Sequence, residues 1–254
     1  MSDRPAILVT GAAKRLGAAI ARRFGAAGWH VVIHHLASHD EAEALAAQLP
    51  SAEVVSFDLA DTAAIEAETA ELAARCPGWR ALMLNASRFE PDWPQAPDWD
   101  VLDRALAANF IGNVRLAERF LTLTDPAPGR NVVAVLDQKL WNLNPDFASY
   151  TASKAALASW IAMLAMTSPA AGDRVFGLAP GLSQPSHDQT EAEFATSSVM
   201  NLLQRPTGLD EIAEAAHFLV TGPLASGSIL KVDSGQHLVR QTRDVMYRIR
   251  EAAA

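Results

Sequence analysis

Short runs rich in Val, Ile and Leu recur along the chain, and longer segments with helical spacing separate them. This alternation restricts the fold more than any other feature. The runs are AILVT at 6–10, HVVIH at 30–34, EVVSF at 53–57, ALMLN at 81–85, NVVAVL at 131–136 and RVFGLA at 174–179. Such apolar runs predict strands that are buried on both faces. GSILKVDSGQ, at 227–236, predicts a last strand near the C-terminus.

The segments between these runs are rich in Ala, Leu and Glu and predict helices at 15–27, 39–49, 62–74 and 98–123. Alternating strands and helices favour an α/β fold, in which helices cover both faces of a parallel sheet. The composition of the 254 residues does not change along the chain, so we expect one globular domain, 1–254. The long irregular segment 181–208 is expected to be a substrate loop or lid.

The charge and composition exclude several classes of partner. A net charge of -8 with scattered Lys and Arg argues against nucleic acid, so the expected partner is a small molecule. The apolar stretch KAALASWIAMLAMTSPAA is rich in alanine and is interrupted by polar residues and Pro169, which favours a buried or subunit-contact helix over a membrane span. A single cysteine, Cys76, and the lack of a cleavable apolar start predict a cytoplasmic protein.

A glycine-rich turn, in LVTGAAKRLGAAIA, directly follows the first predicted strand and opens a helix. Backbone N–H groups and the dipole at such a helix start favour a pyrophosphate. The turn lacks the middle glycine of the common dinucleotide fingerprint, and a tight strand-to-helix connection is the alternative. The candidate cofactor contacts here are Gly11, Lys14, Arg15, Leu16 and Gly17.

Three other strand ends carry residues suited to the same ligand. Ligands of open parallel sheets bind beyond the carboxyl ends of the strands, so these turns are expected to converge on one crevice. The candidates are Asp58 and Leu59 after the third strand, Asn85, Ala86 and Ser87 after the fourth, and Pro180, Gly181 and Ser183 after the sixth.

The motifs TGAAKRLG, NAS, YTASK, APG and VDSG, in this order and spacing, resemble the short-chain dehydrogenase/reductase family over essentially the full chain. The resemblance implies a Rossmann-type, doubly wound parallel sheet in a single domain. It also implies a nicotinamide dinucleotide along the strand ends and a homodimer or homotetramer. Asn109, in AANFIGN, would be the helix asparagine that organises a water-linked proton path.

Tyr150 and Lys154 lie one helical turn apart, so their side chains share a face. The pKa of a phenol is about 10, and an ammonium beside it stabilises the phenolate. Such a phenol suits the role of a proton donor or acceptor. In the family this lysine also holds the nicotinamide ribose. The alternative is an ordinary exposed pair on a helix.

Asp137 stands where most members of the family carry a serine that donates to the carbonyl being reduced. An ionised carboxylate only accepts hydrogen bonds and opposes a developing oxyanion, so ketone reduction is a poor match. Reduction of a C=N bond is a better match, because a carboxyl with a raised pKa can hold or relay the proton that nitrogen takes up. The alternative is a capping or surface loop residue.

This departure is similar to one branch of the family, the pteridine reductases and the related bacterial dihydromonapterin reductases. The shared features are Arg15 in the turn, NAS in place of NAG, the aromatic Phe89, and the Asp137, Tyr150 and Lys154 set. In those enzymes the pterin stacks between the nicotinamide and the aromatic. The implied substrate contacts are Ser87, Phe89, Asp137 and Tyr150, although core packing is an alternative for Phe89.

The second strand, in HVVIHHLAS, is not followed by the carboxylate that binds the ribose of NAD until Asp40. Lys14 and Arg15 can meet a 2′-phosphate, so NADP (NADPH) is favoured, although Ala37 lies where pteridine reductases often offer a further arginine. Other candidate contacts here are His35 and Ser38. No metal site is predicted, because adjacent histidines on a strand point to opposite faces.

Three functions remain open at this stage. The favoured one is an NADPH-dependent reductase of a pterin-like N-heterocycle. A carbonyl reductase of the same fold, acting on a ketone or 3-oxoacyl compound, is the enzyme alternative. A non-catalytic NADP-sensing regulatory protein is the alternative of another class, and Tyr150 and Lys154 argue against it.

Overall fold

A computed structural model describes residues 4–127, 129–167, 170–186 and 188–253. Within these residues seven strands form one parallel sheet in the order β3-β2-β1-β4-β5-β6-β7. The strands are β1 Ala6–Val9, β2 His30–His35, β3 Ala52–Ser56, β4 Trp79–Leu84, β5 Asn131–Val135, β6 Arg174–Pro180 and β7 Ile229–Val232. The chain order reverses between β1 and β4, which makes the sheet doubly wound, and the predicted Rossmann-type fold is confirmed.

The helices lie on both faces of the sheet. They are α1 Arg15–Ala26, α2 His39–Ala46, α3 Thr62–Arg75, α4 Trp99–Ala105, α5 Gly112–Leu123, α6 Ala148–Met166, α7 Glu191–Ser197, α8 Leu209–Thr221 and α9 Val245–Ala253. Successive strand residues face opposite clusters: Ile7 packs with α1 and α8, whereas Leu8 packs with α3, α5 and α6. Because both faces are covered, the five inner strands read as apolar runs, whereas the edge strands β3 and β7 are only partly buried, and the expectation that 53–57 is buried on both faces was wrong.

The predicted helix 98–123 runs without a break but changes its winding in the middle. Leu106–Ile111, between α4 and α5, form a π-helical segment that contains Asn109. The Asn113 amide donates to the carbonyls of Asn109 (2.8 Å) and Ala108 (3.3 Å), so a side chain satisfies carbonyls of the wider turn. π segments often occur at functional sites.

The segment 181–208, which was expected to be irregular, contains helix α7. Thr190 and Glu193 form a capping box at its start, a pattern that is visible in the sequence as Thr-x-x-Glu. α7 packs against α9, and Arg250 of α9 contacts Glu193 at 2.6 Å and Asp188 at 3.2 Å. His187 lies outside the described residues.

The apolar stretch considered as a membrane span supplies most of α6. Ser168 and Pro169, near the end of that stretch, lie outside the described residues. No helix in the described part of the chain is both long and apolar enough to cross a membrane.

Candidate active site

A cavity of about 760 Å³ lies at the carboxyl edge of the sheet and is lined from the ends of β1 to β6. Most of the predicted site residues meet there. These are Gly11, Lys14, Arg15, Leu16, Gly17, Asp58, Leu59, Asn85, Ala86, Ser87, Phe89, Asp137, Tyr150, Lys154, Pro180, Gly181 and Ser183. Three predicted residues do not line it: His35, Ser38 and Asn109.

The glycine turn after β1 is held tightly against the end of β4. Gly11 has φ 61°, and a Cβ on Gly17 would lie 2.3 Å from the Gly11 carbonyl oxygen. Asn85 Nδ2 donates to the Thr10 carbonyl at 2.8 Å, and Thr10 Oγ1 accepts from the Asn85 and Ala86 N–H groups. The turn therefore needs both glycines. Helix α1 begins directly after this turn, and the N–H groups of a helix start in this position can bind the pyrophosphate of a dinucleotide.

His34, at the end of β2, joins three strand ends and was missed by the sequence analysis. Its Nδ1 accepts from the Gly11 N–H at 3.1 Å, so Nε2 carries the proton and donates to the Phe57 carbonyl at 2.9 Å. Burial lowers the pKa of His34 to about 4, against a smaller opposite effect of the Phe57 hydrogen bond. The ring is therefore neutral at pH 7 and holds the glycine turn.

The two predicted contacts that follow β2 lie away from the cavity. His35 is buried beside the His39 ring, with 5.6 Å between ring centroids, and its ring nitrogens have no partner among the described residues. Neighbouring strand residues point to opposite faces, so His34 lines the cavity and His35 does not. Ser38 is the N-cap residue of α2 and makes no side-chain capping bond. Leu36, half exposed, lines the cavity instead.

Lys14 and Arg15 lie at the rim, and each already has a partner. Lys14 Nζ is 2.5 Å from Glu41 Oε1 in an exposed ion pair, and the Lys14 hydrogen bond lowers the pKa of Glu41. Arg15, at φ 55°, donates to the Pro185 carbonyl at 2.7 Å. A carboxylate on α2 thus stands beside the cation expected to meet a 2′-phosphate.

Asp137, Tyr150 and Lys154 come together where β5 ends and α6 begins. The Tyr150 hydroxyl donates to Asp137 Oδ2 at 2.8 Å, and Asp137 Oδ1 accepts from the Lys139 N–H at 2.8 Å. Asp137 therefore caps a short turn and also contacts the phenol, so the two interpretations made from sequence are compatible. Lys154 is fully buried and donates to the Val135 carbonyl at 2.6 Å.

Burial dominates the electrostatics of these three groups. It raises the pKa of Asp137, against the opposing hydrogen bonds from the Lys139 N–H and the Tyr150 hydroxyl. Burial and then the Asp137 charge raise the pKa of Tyr150 well above its usual value, and burial lowers the pKa of Lys154 to about 8. A proton is therefore retained on the Asp137–Tyr150 pair at neutral pH.

Asn109 is buried in the π segment and braces a loop. Its Oδ1 accepts from the Arg88 N–H at 2.7 Å, and its Nδ2 donates to the Arg88 carbonyl at 2.9 Å and to Ser153 Oγ at 3.0 Å. The loop it holds carries Ser87 and Phe89, both of which line the cavity. A role for Asn109 in a water-linked proton path stays a prediction.

Phe89 both lines the cavity and packs against other rings. It stacks on Phe147 with centroids 4.0 Å apart and meets Tyr150 edge-on at 4.7 Å. Phe147, at φ 56°, is the N-cap residue of α6 and cannot cap with its side chain. Asp92 does so instead, because its carboxylate accepts from the Ser149 N–H at 3.0 Å and from Ser149 Oγ at 2.5 Å.

One wall of the cavity comes from distant parts of the chain and was not predicted from the sequence. Gln138 and Lys139 follow Asp137, and Asp244, Val245 and Met246 come from the C-terminal segment. No local signal connects these two segments, since only the tertiary structure brings them together. Among the described residues there is no group of three or more His, Cys, Asp or Glu side chains placed to hold a metal ion.

Known proteins resemble this chain over most of its length. A family model described as enoyl-(acyl carrier protein) reductase matches residues 11–237. FolM alternative dihydrofolate reductase 1 of Brucella suis, solved in complex with NADP, is 33% identical with a TM-score of 0.88, covering 96% of this chain and 99% of that one. Two relatives are 3β-hydroxysteroid dehydrogenase 1 of Eggerthella lenta, 29% identical over 91% of this chain and 93% of its own length, and pteridine reductase 1 of Leishmania tarentolae, 27% identical over 93% and 97%.

The matches agree with the motifs that suggested the family. The family model covers most of the chain, and the Brucella structure shares the sheet and its covering helices over nearly all of it. The glycine turn, Tyr150 and Lys154, which carried the resemblance, line one cavity. The chain therefore belongs to the short-chain dehydrogenase/reductase family of oxidoreductases.

Proposed function

We propose that this protein is an NADPH-dependent reductase of a dihydropterin or a similar N-heterocycle. The observation that carries the proposal is the 2.8 Å hydrogen bond between the Tyr150 hydroxyl and the Asp137 carboxylate in the cavity wall. The similarity to a FolM dihydrofolate reductase and to a pteridine reductase supports the same substrate class.

The cavity has the residues to hold NADP along the strand ends. The turn from Gly11 to Gly17 would receive the pyrophosphate, Lys14 and Arg15 the 2′-phosphate, and Lys154 the nicotinamide ribose. The NADP bound in the Brucella structure supports this choice of cofactor. When bound, the reduced nicotinamide supplies a hydride.

Asp137 and Tyr150 would deliver the proton that a C=N bond needs on reduction. Their shared proton lies in an environment where burial raises both pKa values, so it stays available at neutral pH. A carboxylate beside the reacting atom would repel the oxyanion formed from a ketone, whereas a nitrogen that becomes protonated develops no such charge. The Asp137–Tyr150 pair therefore favours reduction of a C=N bond over reduction of a ketone.

Ser87 and Phe89 would hold the flat heterocycle, and 181–208 would close over it as a substrate loop. The Phe147 ring covers one face of Phe89, so a stacked substrate would use the other face. We further propose that the protein works in the cytoplasm as a homodimer or homotetramer.

The test follows NADPH oxidation at fixed enzyme concentration with dihydrobiopterin, dihydromonapterin, dihydrofolate and a panel of small ketones. We expect turnover of at least one dihydropterin. Asp137→Ser should lower kcat/KM for that substrate by on the order of 10²-fold, the low end for a positioned acid or base. Activity on ketones should stay level or rise, because the serine hydroxyl can donate to an oxyanion.

A carbonyl reductase is the second candidate, and the 29% identity to a 3β-hydroxysteroid dehydrogenase favours it. That candidate predicts ketone turnover by the wild type without turnover of any dihydropterin. Absence of any pterin turnover would exclude the leading proposal. Absence of turnover with both classes would instead favour the non-catalytic NADP-sensing protein.

A further inference from the structure

An ion pair forms part of the cavity wall that the sequence analysis missed. Lys139 Nζ lies 3.3 Å from Asp244 Oδ2, and both residues line the cavity that Asp137 and Tyr150 line. The Lys139 side chain is 4% exposed and the Asp244 side chain 21%. Lysine is almost never buried to this extent without a partner, because its ammonium loses its hydration.

The neighbours of the pair combine apolar surface with one unused acceptor. Lys139 Nζ also donates to Asn144 Oδ1 and lies 5.7 Å from the centre of the Phe147 ring. Gln138, next in the wall, has a buried side-chain oxygen with no hydrogen-bond partner among the described residues. An unmet buried acceptor in a cavity wall is costly unless a ligand or water donates to it.

The carboxylate of Asp244 is held in place by the backbone around it. The Asp244 N–H donates to Asp146 Oδ2 at 2.6 Å, and Asp244 Oδ1 accepts from the Met246 N–H at 3.2 Å. Asp146 is itself buried and ion-paired with Arg243 at 2.9 Å. The pair is therefore a fixed feature of the wall, and such preorganised groups suit recognition.

We propose that Lys139, Asp244 and Gln138 form a subsite for an uncharged, hydroxyl-bearing substituent of the substrate, an inference that rests on the proposed pterin reductase function. The subsite offers a donor in Lys139 and acceptors in Asp244 and Gln138. A hydroxyl both donates and accepts, so it satisfies both kinds of group. A carboxylate substituent would be repelled by Asp244, and an alkyl substituent would leave the Gln138 oxygen without a donor.

The experiment compares two substrates that differ in this substituent: dihydrobiopterin, with its hydroxylated side chain, and dihydropterin without one. The quantity measured is the ratio of kcat/KM for the first to that for the second. Asp244→Asn, which keeps the shape of the side chain, should lower the ratio by on the order of 10-fold, as expected for one buried hydrogen bond to a charged group. Lys139→Met should lower it in the same direction.

Arg250→Gln is the matched control. Arg250 ties α9 to α7 through Glu193 and Asp188 but is not among the cavity-lining residues, so its loss loosens the same C-terminal helix outside the subsite. This variant should change both substrates by one factor and leave the ratio unaltered. A ratio that stays constant in both Asp244→Asn and Lys139→Met, or that falls equally in Arg250→Gln, would overturn the subsite while leaving the reductase intact. Failure of the wild type to reduce either pterin would remove the proposed function and the subsite together.

Discussion

At the scale of single residues, the position of the shared proton decides what Tyr150 and Asp137 can do. The phenol donates to a carboxyl whose pKa is raised by burial, and Lys154, with a pKa lowered to about 8, donates to a backbone carbonyl. The phenol therefore keeps its proton at neutral pH, and the phenolate expected from the spacing of Tyr150 and Lys154 is not favoured in this structure.

Tyr150→Phe tests this arrangement directly. The ring and its contact with Phe89 survive, whereas the transferable proton is lost. We expect NADPH to bind with near-normal affinity while kcat falls by about 10²- to 10⁴-fold. Fluorescence titration of NADPH and steady-state rates give the two quantities, and a variant with near-normal kcat would rule out Tyr150 as the acid.

Glu41 offers a second test at this scale, because its carboxylate competes with an anion for Lys14. Removing the charge in Glu41→Gln should lower the dissociation constant of NADPH by roughly 2- to 5-fold, the range of an exposed ion pair. The dissociation constant of NADH should not change. Lys14→Gln should act in the opposite direction. Dissociation constants at low and high salt measure both, and an equal change for the two cofactors would place Lys14 at the shared pyrophosphate.

At the scale of secondary-structure elements, the strands were predictable and the partners of the helix ends were not. Each apolar run predicted a strand that the structure contains, because a parallel sheet covered on both faces makes its inner strands largely apolar. The sequence of α7 contains a capping box, but the polar residues around this short helix are typical of a loop, so the helix was not predicted. The contact of Asp92 with the start of α6 spans 57 residues, so no local pattern could predict it.

Asp92→Ala should destabilise the protein, since Phe147 cannot supply the cap that the start of α6 needs. We expect the free energy of unfolding to fall by about 1 to 2 kcal/mol, the usual cost of losing an N-cap, and Asp92→Asn to cost less. Urea unfolding of the two variants measures this difference. Equal stability of wild type and Asp92→Ala would show that the carboxylate contributes nothing to the helix.

At the scale of the whole molecule, most of the cavity lining followed from the sequence, including Ser87, Phe89 and Asp137, whereas the wall that the C-terminal segment completes did not. Glycines, strand ends and the Tyr150–Lys154 spacing are local signals, because each can be recognised within a few consecutive residues. His34 was missed because a histidine inside a buried run resembles any other strand residue until its partners Gly11 and Phe57 are known. Asp244 was missed because it reaches the cavity only through the packing of the C-terminal segment.

His34 should make the stability of the whole fold depend on pH. Its pKa is lowered from 6.5 to about 4 in the folded protein, so between these values the unfolded chain binds the extra proton. The stability that the neutral ring provides is complete above pH 6.5 and is lost as the pH falls towards 4, by roughly 3 kcal/mol at 1.36 kcal/mol per pKa unit.

Urea unfolding across this range, compared with His34→Gln, isolates the contribution. The variant cannot take up the proton, so its free energy of unfolding should fall less steeply with decreasing pH, although it starts lower. If the free energy of unfolding fell equally with pH in the two proteins, the pKa of His34 would not be lowered in the folded state.

The cavity wall is completed late in synthesis. Chains emerge from the ribosome N-terminus first, so the glycine turn, His34 and Tyr150 are available before Asp244 and Met246 exist. The side of the cavity that Asp244 and Met246 line therefore stays open until the C-terminal segment has been made.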